Sequence, residues 1–198
     1  MAADYAQMVA ELKAFFDFSH KVVILVGAGA GKFIDACRGA ERLIAIDQDA
    51  EVLKEFEQTL RSKGMQDGAS VICSDFLEVT SRGDVVYFEF CLHEMEDPLK
   101  ALAHARELAP EVLIFDHLPD SPWTYYTNEE EKVRRSTDVM MSCGVRRQEV
   151  HEGAQRFRNH AELQAMLASG GPVSMERIAR FRDASDLVIP MRYGLAVL

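Results

Sequence analysis

Positive charge is scarce in this 198-residue sequence: 22 lysines and arginines stand against 32 aspartates and glutamates, a formal net charge of −10. Such a field repels phosphate backbones and anionic bilayers, which disfavours nucleic acid and membrane as partners and favours a small molecule. No apolar run reaches the roughly 18 residues needed to span a bilayer. A basic leader followed by an apolar core is missing as well, so the expected location is cytoplasmic. CxxC pairs are absent. Cys37, Cys73, Cys91 and Cys143 lie far apart and read as reduced thiols, two of them within apolar strand-like runs. Internal repeats and low-complexity tracts are lacking too. With 48% hydrophobic residues the chain can bury one good-sized core, so residues 1–198 are expected to form a single domain. A homodimer is left open.

What is present starts with VVILVGAGAGKF, Val22 to Phe33. An apolar run fit for a buried strand meets Gly27, Gly29 and Gly31, a turn that lets the backbone approach a ligand and open into a helix. Before it, Tyr5, Met8, Val9, Leu12, Phe15 and Phe16 recur at helical spacing and predict an amphipathic helix within residues 1–20. After it, Lys32 to Arg38 reads as a helix and Leu43 to Ile46 as a strand ending at Asp47. Strands of a parallel sheet share a crevice at their carboxyl ends, so Asp47 is placed to accept ribose hydroxyls. The bland alternative, a helix cap, fits Asp49 better, ahead of the stripe Val52, Leu53, Phe56, Leu60. Lys63 and Gly64 mark that helix's end. A third strand, Val71 to Cys73, closes on Ser74, Asp75 and Phe76; Asp75 reads equally as a helix cap or as an acceptor for an adenine amino group flanked by Phe76.

The fourth strand, Val85 to Phe90, leads into Cys91, Leu92, His93, Glu94 and Met95, and Asp97-Pro98 starts a helix. The run DVVYFEFCLHEMEDPLKAL resembles the fourth-strand segment of class I S-adenosylmethionine-dependent methyltransferases, and the likeness extends from Val22 to Asp116. It implies a Rossmann-like α/β fold: a seven-stranded, mostly parallel sheet flanked by helices, its last strand antiparallel. It implies S-adenosyl-L-methionine as cofactor, held by Gly27, Ala28, Gly29 and Gly31, by Asp47 with Gln48, and by Ser74, Asp75 and Phe76. Two positions depart from the family pattern. Leu25 stands where an acid usually helps hold the methionine amino group, and Glu89 stands where a small or amide residue is common and could engage the methionine moiety instead.

Val112 to Phe115 reads as the fifth strand, ending in Asp116 and His117. Beyond it a helix is expected over Asn159 to Ala168, with strands at Met175 to Phe181 and Val188 to Leu198. That leaves 118–158 as a lid-like insertion containing PWTYY, a helix from Asn128 to Cys143 and Gly144 after its end. From Glu129 to Arg158 seven basic residues face six acidic ones, either a solvated face or a lid offering Trp123, Tyr125 and Tyr126 as an apolar wall with one arginine for a substrate anion.

Methyl transfer needs an aligned nucleophile and dryness, and a base only when the acceptor atom carries a proton. The candidates are His93, Glu94, His117 and Tyr125. No metal is expected, because His, Cys and acidic residues show no ligand spacing. The Asn/Asp-Pro-Pro-Tyr motif of nucleic-acid amino methyltransferases is absent after the fourth strand. A small-molecule methyltransferase is the expectation; a noncatalytic binding protein of this fold and an NAD-dependent oxidoreductase remain alternatives, although Lys32 occupies the last glycine position of GxGxxG.

Overall fold

The computed structural model describes residues 2–198. Its sheet contains β1 (Ala2–Ala3), β2 (Val22–Val26), β3 (Arg42–Asp47), β4 (Ala69–Cys73), β5 (Val85–Glu89), β6 (Glu111–His117), β7 (Arg147–Asn159) and β8 (Ser185–Val197) in the order β1-β7-β8-β6-β5-β2-β3-β4. Strands β2 to β6 pair in parallel, and β8 runs antiparallel to both β6 and β7. This is the expected seven-stranded sheet with a two-residue edge strand, β1, added beside β7.

The central strands are apolar without alternation because both sheet faces are covered. One face packs Val23, Leu25, Leu43, Tyr87 and Phe115 against helix α1 (Tyr5–Phe15), which buries Met8, Leu12 and Phe15. The other packs Ile24, Val26, Val86, Phe88 and Ile114 against α3 (Pro98–Leu108) and its neighbours. Between β3 and β4 runs α2 (Ala50–Lys63), which Asp49 opens by accepting from the amides of Glu51 and Val52 and which Gly64 closes at φ 65°. Asp97 caps α3 through Lys100 N, as the Asp-Pro signal predicts.

Three expectations change. Lys32 to Arg38 forms only a 3-10 turn, Ile34–Cys37, with Lys32, Asp35 and Arg38 turned outward at the three-residue spacing of such a turn and Phe33, Ile34, Ala36 and Cys37 buried. Residues 118–158 are not a lid: they hold α4 (Pro122–Thr127), α5 (Glu130–Ser142) and most of β7. Helix α5 packs against α3 as a regular layer of the fold. Met175 to Phe181 is helical, α7 (Gly171–Ile178) followed by a 3-10 turn, since Met175, Ile178 and Phe181 also satisfy a three-residue spacing. The insertion between β7 and β8, residues 160–184, is made of α6 (His160–Met166) and α7.

That insertion is anchored by Leu163, which is fully buried in the α1-side core. Leu163→Ala should cost about 2–5 kcal/mol of unfolding free energy by chemical denaturation. A loss under about 0.5 kcal/mol, the range of a surface change, would mark the segment as a detachable flap instead.

Candidate active site at the strand ends

The glycine loop crosses the carboxyl ends of β2, β3 and β5. Gly27, Gly29 and Gly31 take φ of 72°, 51° and 75°, conformations that L side chains rarely adopt. A Cβ at Gly27 would lie 2.5 Å from Cys91 Cβ and 3.2 Å from the Glu89 carbonyl oxygen, so the loop sits directly on the end of β5. The loop's amides are largely engaged within the protein. Those of Gly27 and Ala28 donate to Ile46 O at 3.0 and 3.1 Å, Gly31's to Ala28 O at 3.0 Å, and Gly29's to Asp47 Oδ2 at 2.9 Å. Asp47 Oδ1 accepts from Asp49 N at 3.0 Å. Each Asp47 oxygen thus keeps a further lone pair for a hydroxyl, the set that a ribose diol needs.

Two clefts flank the loop, each about 230 Å³. On one side Asp47, Gln48, Ser74, Phe76, Glu94 and Met95 line a cleft suited to an adenosine. Phe76 is itself a core residue, edge-on to Phe88 at 5.3 Å. Asp75 is absent from that lining: it caps the turn Phe76–Glu78 by accepting from Leu77 N, so the cap alternative is the one found. Gly31 also lies away from both clefts, packed against Phe56 and Thr59. On the other side Gly27, Ala28, Gly29, Lys32, Phe33, Glu89 and Phe90 line the second cleft, beneath Tyr5 and Met8 of α1. Glu89 is 7% exposed with Oε2 lacking a hydrogen-bond partner, and burial pushes its carboxyl up to about 8 against the pull of the nearby Tyr87 hydroxyl and then of Lys32. An unpaired buried carboxyl beside a glycine cradle is what a cationic ammonium would satisfy, so these residues fit S-adenosyl-L-methionine.

A third cavity of about 690 Å³ opens beyond them, lined by Phe90, His93, Glu94, His117, Trp123, Asn128, Glu129 and Lys132. Phe90 has φ 48°, a sparsely populated conformation for a bulky residue, and its ring lies 4.7 Å from His117. Asp116 organises this cavity. Its Oδ1 meets His93 Nδ1 at 2.6 Å and accepts from His117 N at 2.8 Å, while Oδ2 accepts from His93 N at 3.1 Å. Burial alone would lower His93; the charge and hydrogen bond of Asp116, with Glu94, override it and raise the imidazole to about 10. His117 moves the other way, to about 4, through burial and the neighbouring His93. His93 and Lys132 draw Glu94 down to about 2, and burial raises Glu129.

Sequence spacing hides one cluster here. His93, Glu94 and Glu129 bring ligand-capable atoms within 4.8 Å of one another. Lys132 Nζ already stands 2.6 Å from Glu94 Oε2, however, and His93 holds its proton, so cationic groups of the chain itself balance these carboxylates. The sequence reading also missed Lys32, Asp116, Glu129 and Lys132 as site residues. Only the position of Asp116 at a strand end beside His117 signalled it. Conversely, Tyr125 is 46% exposed, lies outside the cavity lining and stacks under Arg177 at 4.2 Å. Of the expected aromatic wall Trp123 alone lines the cavity, and the basic residue there is Lys132 rather than an arginine.

Residues 24–111 match the family model described as "Methyltransferase domain". No curated protein matches the chain. Among solved structures, a Bacillus halodurans protein provisionally described as a methyltransferase aligns over 96% of this chain and 97% of its own at 12% identity and a TM-score of 0.70. An S-adenosylmethionine-dependent methyltransferase from Aquifex aeolicus aligns over 98% and 89%, at 16% identity and a TM-score of 0.58. The magnesium protoporphyrin IX methyltransferase of Synechocystis, solved with S-adenosylmethionine bound, aligns over 98% and 77%, at 12% identity and 0.56. At these identities the alignments establish the shared fold. Residues 24–111 thus match a methyltransferase domain, and the chain as a whole shares the Rossmann-like fold of the S-adenosylmethionine-dependent methyltransferases with which it aligns.

Proposed function

We propose that this methyltransferase acts on a small-molecule acceptor held in the cavity beside His93, Glu94, Trp123 and Lys132. The observation that carries this reading is continuity: Gly27 is shared by the two loop clefts, Glu94 by the adenosine-side cleft and the cavity, and Phe90 with His117 by the second cleft and the cavity. When bound, S-adenosyl-L-methionine would supply an electrophilic methyl group, taken by an in-line nucleophile as the C–S bond breaks and the neutral thioether leaves. The chain supplies alignment and water exclusion. Trp123, 6% exposed and stacked on Phe157 at 6.0 Å, is a fixed apolar wall for the acceptor. Protonated His93 and Lys132 serve as donors to an acceptor oxygen, while Glu94, ionised and already paired, is a weak base.

His117 is the better proton acceptor. It is neutral at physiological pH and borders both the second cleft and the cavity, between which the methyl group passes. The engaged loop amides weigh against NAD, whose pyrophosphate needs free N–H groups at the glycine turn. The net charge of −10 weighs against nucleic acid.

Calorimetric titration tests the cofactor side: S-adenosylmethionine and S-adenosylhomocysteine should bind and NAD should not. Asp47→Ala should weaken S-adenosylhomocysteine on the order of 5- to 150-fold, corresponding to about 1–3 kcal/mol from unpaired hydroxyls. An unchanged affinity would remove Asp47 from the site.

Acceptor screening with hydroxylated and amino small molecules tests the rest. For any substrate found, His117→Phe should lower kcat by about 10²- to 10⁴-fold, and Trp123→Ala should mainly raise the acceptor KM. Full activity of His117→Phe on a proton-bearing acceptor would return the base role to another group.

The His93–Asp116 pair gives a pH signature. The folded imidazole value, about 10, exceeds the unfolded one of roughly 6.5, so the pair stabilises fully below that lower value and fades as pH rises through the higher. Asp116→Asn should therefore destabilise most near roughly pH 6, by about 3–5 kcal/mol, and progressively less toward pH 10. A penalty independent of pH would show that His93 is neutral in the folded protein.

A further inference from the structure

We propose that Glu89 and Lys32 together form the receptor for the amino-acid end of the cofactor, Glu89 taking its ammonium and Lys32 its carboxylate, in place of the acid missing at Leu25. This rests on the reading that S-adenosyl-L-methionine occupies the clefts around the glycine loop.

Strand register supports the exchange of position. Leu25 on β2 pairs with Tyr87 on β5, and Glu89 lies two residues beyond Tyr87, hence on the same sheet face and level with Gly27. The carboxylate lies one strand across, about 4.8 Å, and two residues farther along, roughly 6.6 Å, at the mouth of the same crevice. Leu25, with no exposed surface, belongs wholly to the core beneath. Glu89 is more than nine-tenths buried with Oε2 unpartnered, a condition that burial makes costly until a cation arrives.

The carboxylate end follows from the loop. The amides of Gly27, Ala28, Gly29 and Gly31 are already committed, which limits what the loop backbone offers an incoming carboxylate and gives a side-chain cation there a role. Lys32 directly follows the loop and lines the same cleft, its ammonium 5.6 Å from the centre of the Tyr5 ring and without an ion-pair partner among the described residues. Tyr5 belongs to α1, so the helix that roofs the cleft also steadies the lysine. A zwitterion thus meets one buried acceptor and one donor at the mouth.

The other titratable groups near Glu89 are uncharged at neutral pH. Burial raises Tyr87, Cys37 and Cys91 and lowers His117, which leaves Lys32 as the charged neighbour on this side of the cleft. Burial also keeps the Glu89 carboxyl largely protonated in the free protein. Pairing with an ammonium then ionises it and releases a proton to the buffer.

Isothermal titration calorimetry of wild type, Glu89→Gln and Lys32→Met tests this with three probes. They are S-adenosylhomocysteine, decarboxylated S-adenosylmethionine, which lacks the carboxylate, and 5′-methylthioadenosine, which lacks the whole amino-acid end. Glu89→Gln should weaken the first two by about 10- to 150-fold, the range for hydrogen bonds to charged groups, and leave methylthioadenosine unchanged. Lys32→Met should weaken only S-adenosylhomocysteine, by about 2- to 5-fold for this exposed partner. Repeating the wild-type titration in buffers of different ionisation enthalpy should reveal proton release, lost in Glu89→Gln. Thermal melting checks folding, and the nearly isosteric glutamine should not lower the midpoint. Equal weakening of all three probes by Glu89→Gln, or of none, overturns the inference while the cofactor reading stands. If wild type binds none of the probes, the cofactor reading itself fails and the inference falls with it.

Discussion

The hydrogen bond from Gly29 N–H to Asp47 holds the site in shape. It ties the loop leaving β2 to the end of β3, and the second carboxylate oxygen ties the same point to the start of α2. Without it the loop would have to hold three left-handed glycines in place against their own conformational entropy. With it, the loop separates two clefts whose walls draw on six strands, β2, β3, β5, β6, β7 and β8. The same contact commits an amide that a phosphate-binding turn would leave free.

Asp116 plays the corresponding part beside the third cavity. Three groups converge on one buried carboxylate: the His93 ring, the His93 amide and the His117 amide. Two histidines in one cavity are driven to opposite protonation states, one by a hydrogen-bonded counter-ion and the other by burial without one. The cavity thereby holds a proton donor and a proton acceptor at neutral pH, with ring centroids 5.7 Å apart.

Much of this was legible in the chain. The glycine loop, Asp47, the Asp49 cap, Gly64 and the Asp97-Pro98 start are local signals, each with its own backbone chemistry, and each sits where its residue type predicts. The region after β6 was not legible in the same way. Strand β7 is mostly polar and half-exposed, with Ala154 and Phe157 its only buried residues, and its apolar alternation is too sparse to signal a strand. Long-range pairing with β8, from Arg147 with Val197 to Asn159 with Ser185, makes it one. Once β7 claimed that segment, α5 became a sheet-covering helix and residues 160–184 were left between β7 and β8.

The sequence alone determined the strand-loop-strand frame, the acid at the end of β3 and the likeness to a methyltransferase domain, because these depend on residues close together in the chain and on φ values that only certain residues accept. Tertiary structure decided what the charged groups do. Glu89 became an unpaired acid through burial, His93 and His117 were split by Asp116 23 residues from the first and adjacent to the second, and Lys132 reached Glu94 across 38 residues. Protonation follows from the distance and burial of partners in space, and neither quantity is written in local sequence.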